Sequence, residues 1–296
     1  MAVRTGFGGQ AVLEGVMIRG PGGMAVAVRG PEGAMVVDAV GQPPAARGWL
    51  SHVPVARGCA ALLDGLVLGT RALLFSAAVA AGKEGATARD EGGLGWSLLG
   101  SLLFAVGLFL VVPAALAGLL RPRLPSPELA DVAEGVIRLG LLCGYLALLA
   151  RLPEVRRMLE FHGAEHKVIS ALEAGLPLEP AAAAGCSRFH PRCGTSFLLF
   201  VVLLAGLGYS LLGWQSLALR LLLRLALLPV LAGLGYELLA ASAGPRSAVA
   251  AAVAAPGLWL QRWTTREPDA AQIEVALAAL RRALALAPPG LGGARP

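Results

Sequence analysis

Residues 96–120 read WSLLGSLLFAVGLFLVVPAALAGLL, 25 residues without one charged side chain. The hydrocarbon core of a bilayer is about 30 Å thick, so a helix needs about 20 apolar residues to cross it. This stretch therefore predicts a membrane-spanning helix. The whole chain agrees, because 56% of its 296 residues are hydrophobic and only 15% are charged, whereas soluble domains carry about a quarter charged residues.

Three further apolar stretches predict spans. Thr195–Leu219 has no charge, Leu225–Pro245 contains only Glu237, and Val136–Ala150 contains only Arg138. We expect Arg138, near the start of its short span, to extend its charged end towards the membrane surface. The sequence thus predicts a mainly α-helical, polytopic membrane protein with about four transmembrane helices in two hairpins.

Two apolar segments fit the membrane surface better. Cys59–Ala81 contains Asp64 and Arg71 seven residues apart, on one helix face, which favours an amphipathic helix, with a fifth span as the alternative. Ser247–Leu260 has only 14 residues and contains a proline, which indicates an interfacial segment.

The distribution of basic residues predicts the orientation. The loop of residues 151–192 carries six basic side chains. The other two inter-span connections carry two each, in residues 121–123 and in a predicted tight turn over 220–224. Because cytoplasmic loops are enriched in Lys and Arg, the long loop and both termini are expected in the cytoplasm, where cysteines stay reduced. No signal peptide is expected at Met1, and the chain lacks the basic stripe with aromatics that would indicate nucleic-acid binding.

The remaining parts predict small cytoplasmic elements. Met24–Arg29 and Ala34–Asp38 flank Gly-Pro-Glu-Gly, which predicts a β-hairpin, and Pro268–Ala287 predicts an amphipathic packing helix. Residues 83–95 look like a linker and residues 288–296 like a frayed tail. The predicted organisation is therefore an N-terminal cytoplasmic region, a first hairpin, a metal-binding loop and helix, a second hairpin and a C-terminal segment: 1–94, 95–150, 151–196, 197–245 and 246–296.

The chemistry of the chain is concentrated after the first hairpin. A helix predicted from Pro153 to Gly175 contains His162, Glu165 and His166. The two histidines lie four residues apart and share a helix face, so they can chelate one divalent metal, most naturally zinc. The carboxylate of Glu165 beside them can take a proton from water that the metal activates.

His190 and Cys193 follow within 32 residues of the first histidine. Together with His162 and His166 they would close a tetrahedral structural zinc site. Three protein ligands, with His190 as the third and Cys193 as a ligand or neighbour, would instead leave a catalytic position open. A rival site would use Cys186 with His190 and Cys193.

Four other polar residues are candidates for contacting a substrate or supporting the ligands. Glu237 is an intramembrane carboxylate, whose alternative role is to pair with Arg138. Gln10, Glu14 and Arg19 lie in a glycine-rich segment, which would otherwise be a plain turn.

The segment GGQAVLEGVMIRGP, Gly8–Pro21, resembles the opening motif of the YqhQ-like family of bacterial membrane proteins, usually described as predicted metal-dependent enzymes. Phe161–Lys167, His190–Phe197, Pro229–Leu239 and Thr264–Leu277 resemble its other blocks. The resemblance implies a multi-pass protein of the bacterial cytoplasmic membrane, and it supplies no substrate. Cys186 lies outside the family pattern, which disfavours the rival site.

Two functions from different classes follow. The first is a membrane-embedded metal-dependent hydrolase with Glu165 as general base. The second is a non-enzymatic membrane scaffold or assembly factor that zinc stabilises. Transport is less favoured, because the spans contain no polar pathway beyond Glu237 and Arg138.

Overall fold

The computed structural model describes residues 6–41, 53–83, 85–87, 94–242 and 247–288. Most of the predicted linker, the end of the last predicted span and nearly all of the predicted tail lie outside these residues. The described chain is mainly helical with one small sheet. Its strands are β1 (Gly8–Val12), β2 (Gly15–Gly20), β3 (Gly23–Arg29) and β4 (Met35–Gly41).

The helices are numbered in chain order. They are α1 (Ala56–Ala80), α2 (Leu94–Val106), α3 (Val112–Leu120), α4 (Pro127–Leu149), α5 (Pro153–Glu173), α6 (Pro180–Ala184), α7 (Gly194–Ser210), α8 (Leu217–Ser242), α9 (Ala248–Thr264) and α10 (Ala270–Leu286). A π-helical turn over Gly107–Val111 joins α2 to α3.

The sheet is antiparallel in the order β1-β2-β3-β4. The predicted hairpin is confirmed as β3 and β4, paired from Arg29 opposite Met35 to Gly23 opposite Gly41. The sequence did not predict β1 and β2. Both faces of this sheet are covered, so β2 lacks the alternation of polar and apolar residues that marks a strand with one wet face.

Helices cover the sheet on both sides. Val16 and Ile18 of β2 pack with α5 and α10 in one hydrophobic core, whereas Met17 packs on the other face with α1, against Phe75 and Val79. Three of the predicted segments, 1–94, 151–196 and 246–296, therefore meet in one sheet-and-helix unit.

Four helices are long and apolar enough to cross a membrane: Ala56–Ala80, Gly95–Arg123, Pro127–Leu149 and Leu217–Ser242. This set includes α1, expected to be an amphipathic surface helix. It leaves out the helix expected at Thr195–Leu219, which ends at Ser210 after 17 residues.

The predicted tight turn at residues 220–224 is wrong, because α8 already begins at Leu217 and contains both arginines. The reason is a network of buried charges. Glu134 accepts hydrogen bonds from Arg224 at 2.5 and 2.7 Å and from Arg138 at 2.5 Å. A buried carboxylate can stabilise arginines inside a helix bundle, at a position where the low hydropathy of the sequence would otherwise indicate the end of a helix.

Arg138 was expected to extend its charged end towards the membrane surface, but the structure buries it inside the bundle, where its side chain is 3% exposed. Besides Glu134, it donates from Nε to the carbonyl of Phe109 at 3.0 Å. Pro113 has no N–H for the carbonyl four residues before it, so that oxygen is available to the guanidinium.

Candidate metal centre

Helix α5 carries three of the predicted site residues at a crowded junction. It contacts β1 and α10, and Glu165 and His166 are buried on it. Gly163 allows the segment after α9 to lie against the helix: a Cβ at this position would be 2.0 Å from the carbonyl oxygen of Arg266. The backbone N–H of Arg266 donates to the carbonyl of Leu159 at 2.9 Å, so the segment is held one turn before the histidines.

Both helical histidines are oriented through the same ring atom. His162 Nδ1 lies 2.7 Å from the carbonyl oxygen of Thr264, and His166 Nδ1 lies 2.6 Å from that of Arg188. Because a carbonyl only accepts, each Nδ1 carries the proton and each Nε2 keeps its lone pair in the neutral ring. This is the arrangement that fixes the tautomer of metal-binding histidines in proteins.

The free ring nitrogens converge on Cys193, which lies immediately before α7 and is 4% exposed. His162 Nε2 is 3.2 Å from Cys193 Sγ. One potential ligand atom each from His162, His166 and Cys193 lies within 4.8 Å of the others. We call these three residues the His–Cys cluster; two imidazoles and a thiolate are a donor set that suits zinc.

The protonation of the cluster follows from its charges. Burial disfavours the charged form of all three side chains, and the two imidazolium groups repel each other, but the thiolate attracts both of them. The pKa of Cys193 therefore lies well below its usual value, and the pKa of His162 is raised. Against burial, the negative charges of Cys193 and Glu165 raise the pKa of His166 to about 9. A metal would replace these protons as the positive partner of the thiolate.

Glu165 lies beside the cluster. Its Oε2 is 3.5 Å from His166 Nε2, and the residue is 5% exposed. Gly9 of β1 packs on it, since a Cβ there would be 3.1 Å from Glu165 Cγ. A cavity of about 30 Å³ adjoins these groups, enough for roughly one or two water molecules. Its lining combines β1, α5 and the residues before α7: Phe7, Gly8, Gly9, His162, Glu165, His166, Ile169, His190, Arg192, Cys193 and Gly194.

The structure does not bring His190 or Cys186 into this group. His190 lines the cavity, but its Nε2 is 3.4 Å from Glu173 Oε2 and its Nδ1 accepts from the backbone N–H of Arg192 at 3.3 Å. Cys186 lies at the end of α6, with Sγ 3.7 Å from the carbonyl of Ala182. Among the described residues, the cluster of close ligands consists of His162, His166 and Cys193.

Two of the other candidates join the sheet to α1. Gln10 donates from Nε2 to the carbonyl of Gly69 at 3.0 Å, and Arg19 pairs with Asp64 at 2.9 Å. The second contact explains why α1 carries a charge among apolar residues. These side chains are occupied in positioning α1 and lie outside the lining of the small cavity.

The remaining two candidates also hold elements together. Glu14, in the turn between β1 and β2, accepts a hydrogen bond from Arg157 of α5. Glu237 of α8 accepts from Arg57 of α1 at 2.8 and 2.5 Å, and its partner is therefore Arg57 rather than Arg138.

Sequence reasoning missed the carbonyls of Thr264 and Arg188, which orient the two histidines. Main-chain atoms carry no residue-type signature, so no pattern could have identified them. It also missed Glu173, which binds Arg192 and His190. That acid falls seven residues after His166, at a spacing typical of the same helix side.

Comparisons with known proteins agree with the motifs quoted above. Residues 53–286 match a family model described as "Protein of unknown function (DUF1385)". The chain is 35% identical over 300 residues to the uncharacterized protein YqhQ of Bacillus subtilis (strain 168), covering 96% of this chain and 94% of that protein. No solved structure matches. The chain therefore belongs to the DUF1385 family of proteins of unknown function.

Proposed function

We propose that the protein is a membrane-embedded, metal-dependent hydrolase whose metal is held by His162, His166 and Cys193. The observation that carries this proposal is the matched pair of Nδ1 contacts to backbone carbonyls, which aims both Nε2 atoms at one thiol. If the two histidines served only to pack and form hydrogen bonds, their Nε2 atoms would not have to point at the same side chain. Zinc is the proposed metal, because it accepts imidazole and thiolate together.

Zinc held by these residues would supply a Lewis acid that makes water nucleophilic at neutral pH. Glu165 would be the group that accepts a proton from water in the cavity, since its carboxylate adjoins the cavity and lies beside His166. Three protein ligands rather than four is the usual arrangement of catalytic zinc sites. His190 and its partners Glu173 and Arg192 contribute polar groups to the same cavity wall.

A second candidate function is a non-enzymatic scaffold with a structural zinc. The small cavity and the burial of Cys193 favour it, because water fits beside the cluster but a larger substrate does not. In this alternative, zinc would fasten α5 to the start of α7. As an enzyme, the protein would have to admit its substrate by a displacement of the cavity lining.

The proposed location is the bacterial cytoplasmic membrane, with the sheet, the His–Cys cluster and both termini in the cytoplasm. Four long apolar helices support insertion in a lipid bilayer, and the basic loop of residues 151–192 supports the orientation. The substrate would then be a compound that reaches the cytoplasmic surface of the membrane.

The test is the metal content of the detergent-purified protein, measured by elemental mass spectrometry beside His162→Ala and His190→Ala. About one zinc per chain is expected in the wild type and in His190→Ala, and none in His162→Ala. Absence of metal from the wild type after reconstitution with zinc would overturn the metal assignment. Loss of zinc from both variants would restore His190 as a ligand.

Glu165→Gln then separates the two functions. If the protein is a hydrolase, this variant keeps its zinc but fails to replace the wild type in a cell that lacks the native gene. If zinc is only structural, the variant with its full zinc content replaces the wild type normally.

A further inference from the structure

A second and much larger cavity lies outside the metal centre. It has a volume of about 540 Å³. Its wall is formed by residues at and just after the end of α4 (Ala147, Ala150 and Arg151), the first turns of α5, Arg188, Arg262 and Trp263 of α9, and residues 265–267 after α9. The proposed function does not use this cavity.

The cavity is strongly basic. Its lining contains two glutamates and five arginines: Arg151, Arg156, Arg188, Arg262 and Arg266. Both acids already have partners. Glu267 lies 3.1 Å from Lys167 Nζ and 3.5 Å from Arg188 Nε, and Glu160 accepts from Gln272 at 3.0 Å. The formal charge of the lining is therefore +3.

Three of the arginines have no partner among the described residues. Within the part of the chain that the structure describes, the side chains of Arg151, Arg262 and Arg266 make no hydrogen bond or ion pair. The Nε of Arg266 is in addition buried. Buried donors are nearly always hydrogen-bonded in folded proteins, so the Nε of Arg266 lacks a partner that an anion in the cavity would supply. Arg151 and Arg262 are exposed, and their guanidinium groups are available to the same anion.

Aromatic side chains place the cavity at a membrane boundary. Trp263 lines it, and the ring of Trp259, one turn earlier on α9, lies 5.1 Å away; both residues are exposed. Tryptophan concentrates at the level of lipid headgroups. The cavity also adjoins the last turn of α4, one of the four helices able to span a bilayer. Its arginines therefore lie where the phosphates of a lipid leaflet would be.

We propose that this arginine cavity binds the phosphate group of an anionic phospholipid. Phosphate oxygens match the planar donor pattern of guanidinium groups, and basic pockets between membrane helices are known places for acidic headgroups. The proposal does not depend on zinc or on turnover. It does bring a lipid phosphate close to the His–Cys cluster, because Thr265 lines the cavity while the carbonyl of Thr264 orients His162.

The test counts lipids bound to the full-length protein by native mass spectrometry in detergent, with phosphatidylglycerol or phosphatidylcholine added. The Arg151→Gln/Arg262→Gln variant is compared with Arg281→Gln/Arg282→Gln, which removes the same charge from exposed positions of α10. Wild type and control should prefer phosphatidylglycerol. The cavity variant should bind it on the order of 30-fold more weakly, since each arginine near a membrane surface contributes about fivefold.

A single-species elution profile and a thermal unfolding midpoint equal to that of the wild type would show that the cavity variant is folded. Equal binding of the two lipids by the wild type, or full binding by the folded cavity variant, would overturn the proposal. Millimolar inorganic phosphate distinguishes the source of the phosphate. If it leaves the bound phosphatidylglycerol in place, the lipid is supported; if it displaces the lipid, the site belongs to a soluble phosphate compound and the lipid assignment fails.

Discussion

Gly163→Ala tests how α5 is packed at the metal centre. Replacing glycine by alanine inside a helix ordinarily stabilises it by about 1 kcal/mol. Here the new Cβ would lie 2.0 Å from the carbonyl oxygen of Arg266, whereas real Cβ atoms keep at least 3.0 Å. The segment after α9 would have to move by about 1 Å, and overpacking of this kind costs about 1–3 kcal/mol. We therefore expect a net loss of stability of up to about 2 kcal/mol.

The same displacement should weaken zinc binding. The displaced Arg266 lies two residues after Thr264, whose carbonyl holds His162 through a hydrogen bond of 2.7 Å. Disturbing the partner that orients a metal-binding histidine typically weakens metal affinity by about 10- to 100-fold. Gly163→Ala should thus lose both stability and affinity, although it touches no proposed ligand.

The assay is competition for zinc with a chromophoric chelator, together with thermal unfolding in the same detergent. Gly65→Ala in α1 is the matched control, because nothing lies within 4 Å of a Cβ at that glycine; it should bind zinc as the wild type does and be as stable or more stable. If Gly163→Ala matched this control in both measurements, the contact of residues 264–266 with α5 would be refuted.

Three further predictions follow from the buried charges, the protonation of the cluster and a helix cap. Glu134→Gln leaves Arg138 and Arg224 buried without their carboxylate, so unfolding in mixed detergents should become easier by about 3–5 kcal/mol. Because the metal-free His166 has a pKa of about 9 and must lose its proton to bind zinc, affinity should rise about tenfold per pH unit below pH 9 for each proton released; a pH-independent affinity would contradict the charged cluster. Asp269→Ala removes the side-chain cap of α10 and should lower thermal stability by about 1 kcal/mol while leaving the zinc content unchanged.

Local patterns predicted the elements whose residues lie close in the sequence. The His162 and His166 pair with Glu165 is an i, i+4 arrangement, and α5 presents it as the spacing indicates. The β3–β4 hairpin and α10 were likewise visible from a Pro-Gly turn and from helical periodicity. Each of these inferences used only residues that are close together in the sequence.

Features that depend on distant partners were predicted poorly. Arg138 and Arg224 can be buried in the bundle because both donate hydrogen bonds to Glu134. A hydropathy average over the sequence counts each charge separately and does not register that they form ion pairs. The i, i+4 spacing of Glu134 and Arg138 was a usable sign of an internal ion pair. No comparable sign separates His190 from Cys193. The ring of His190 lies 5.7 Å from that of His166, and which of the two residues presents a ligand atom to the helical histidines depends on the backbone path into α7.

The glycine-rich opening motif shows why residues that look catalytic can instead position a site. Gly9 lies against Glu165, and a side chain there would displace the carboxylate or the strand. The neighbouring polar residues each reach a different place: Gln10 and Arg19 contact α1, and Glu14 contacts α5. These three contacts hold the strands β1 and β2 between α1 and α5, and Gly8 and Gly9 of β1 line the small cavity. The motif thus contributes to the wall of the cavity and supplies no ligand of the His–Cys cluster. A substitution in it should change the access of molecules to the cavity more than it changes the positions of the three ligand side chains.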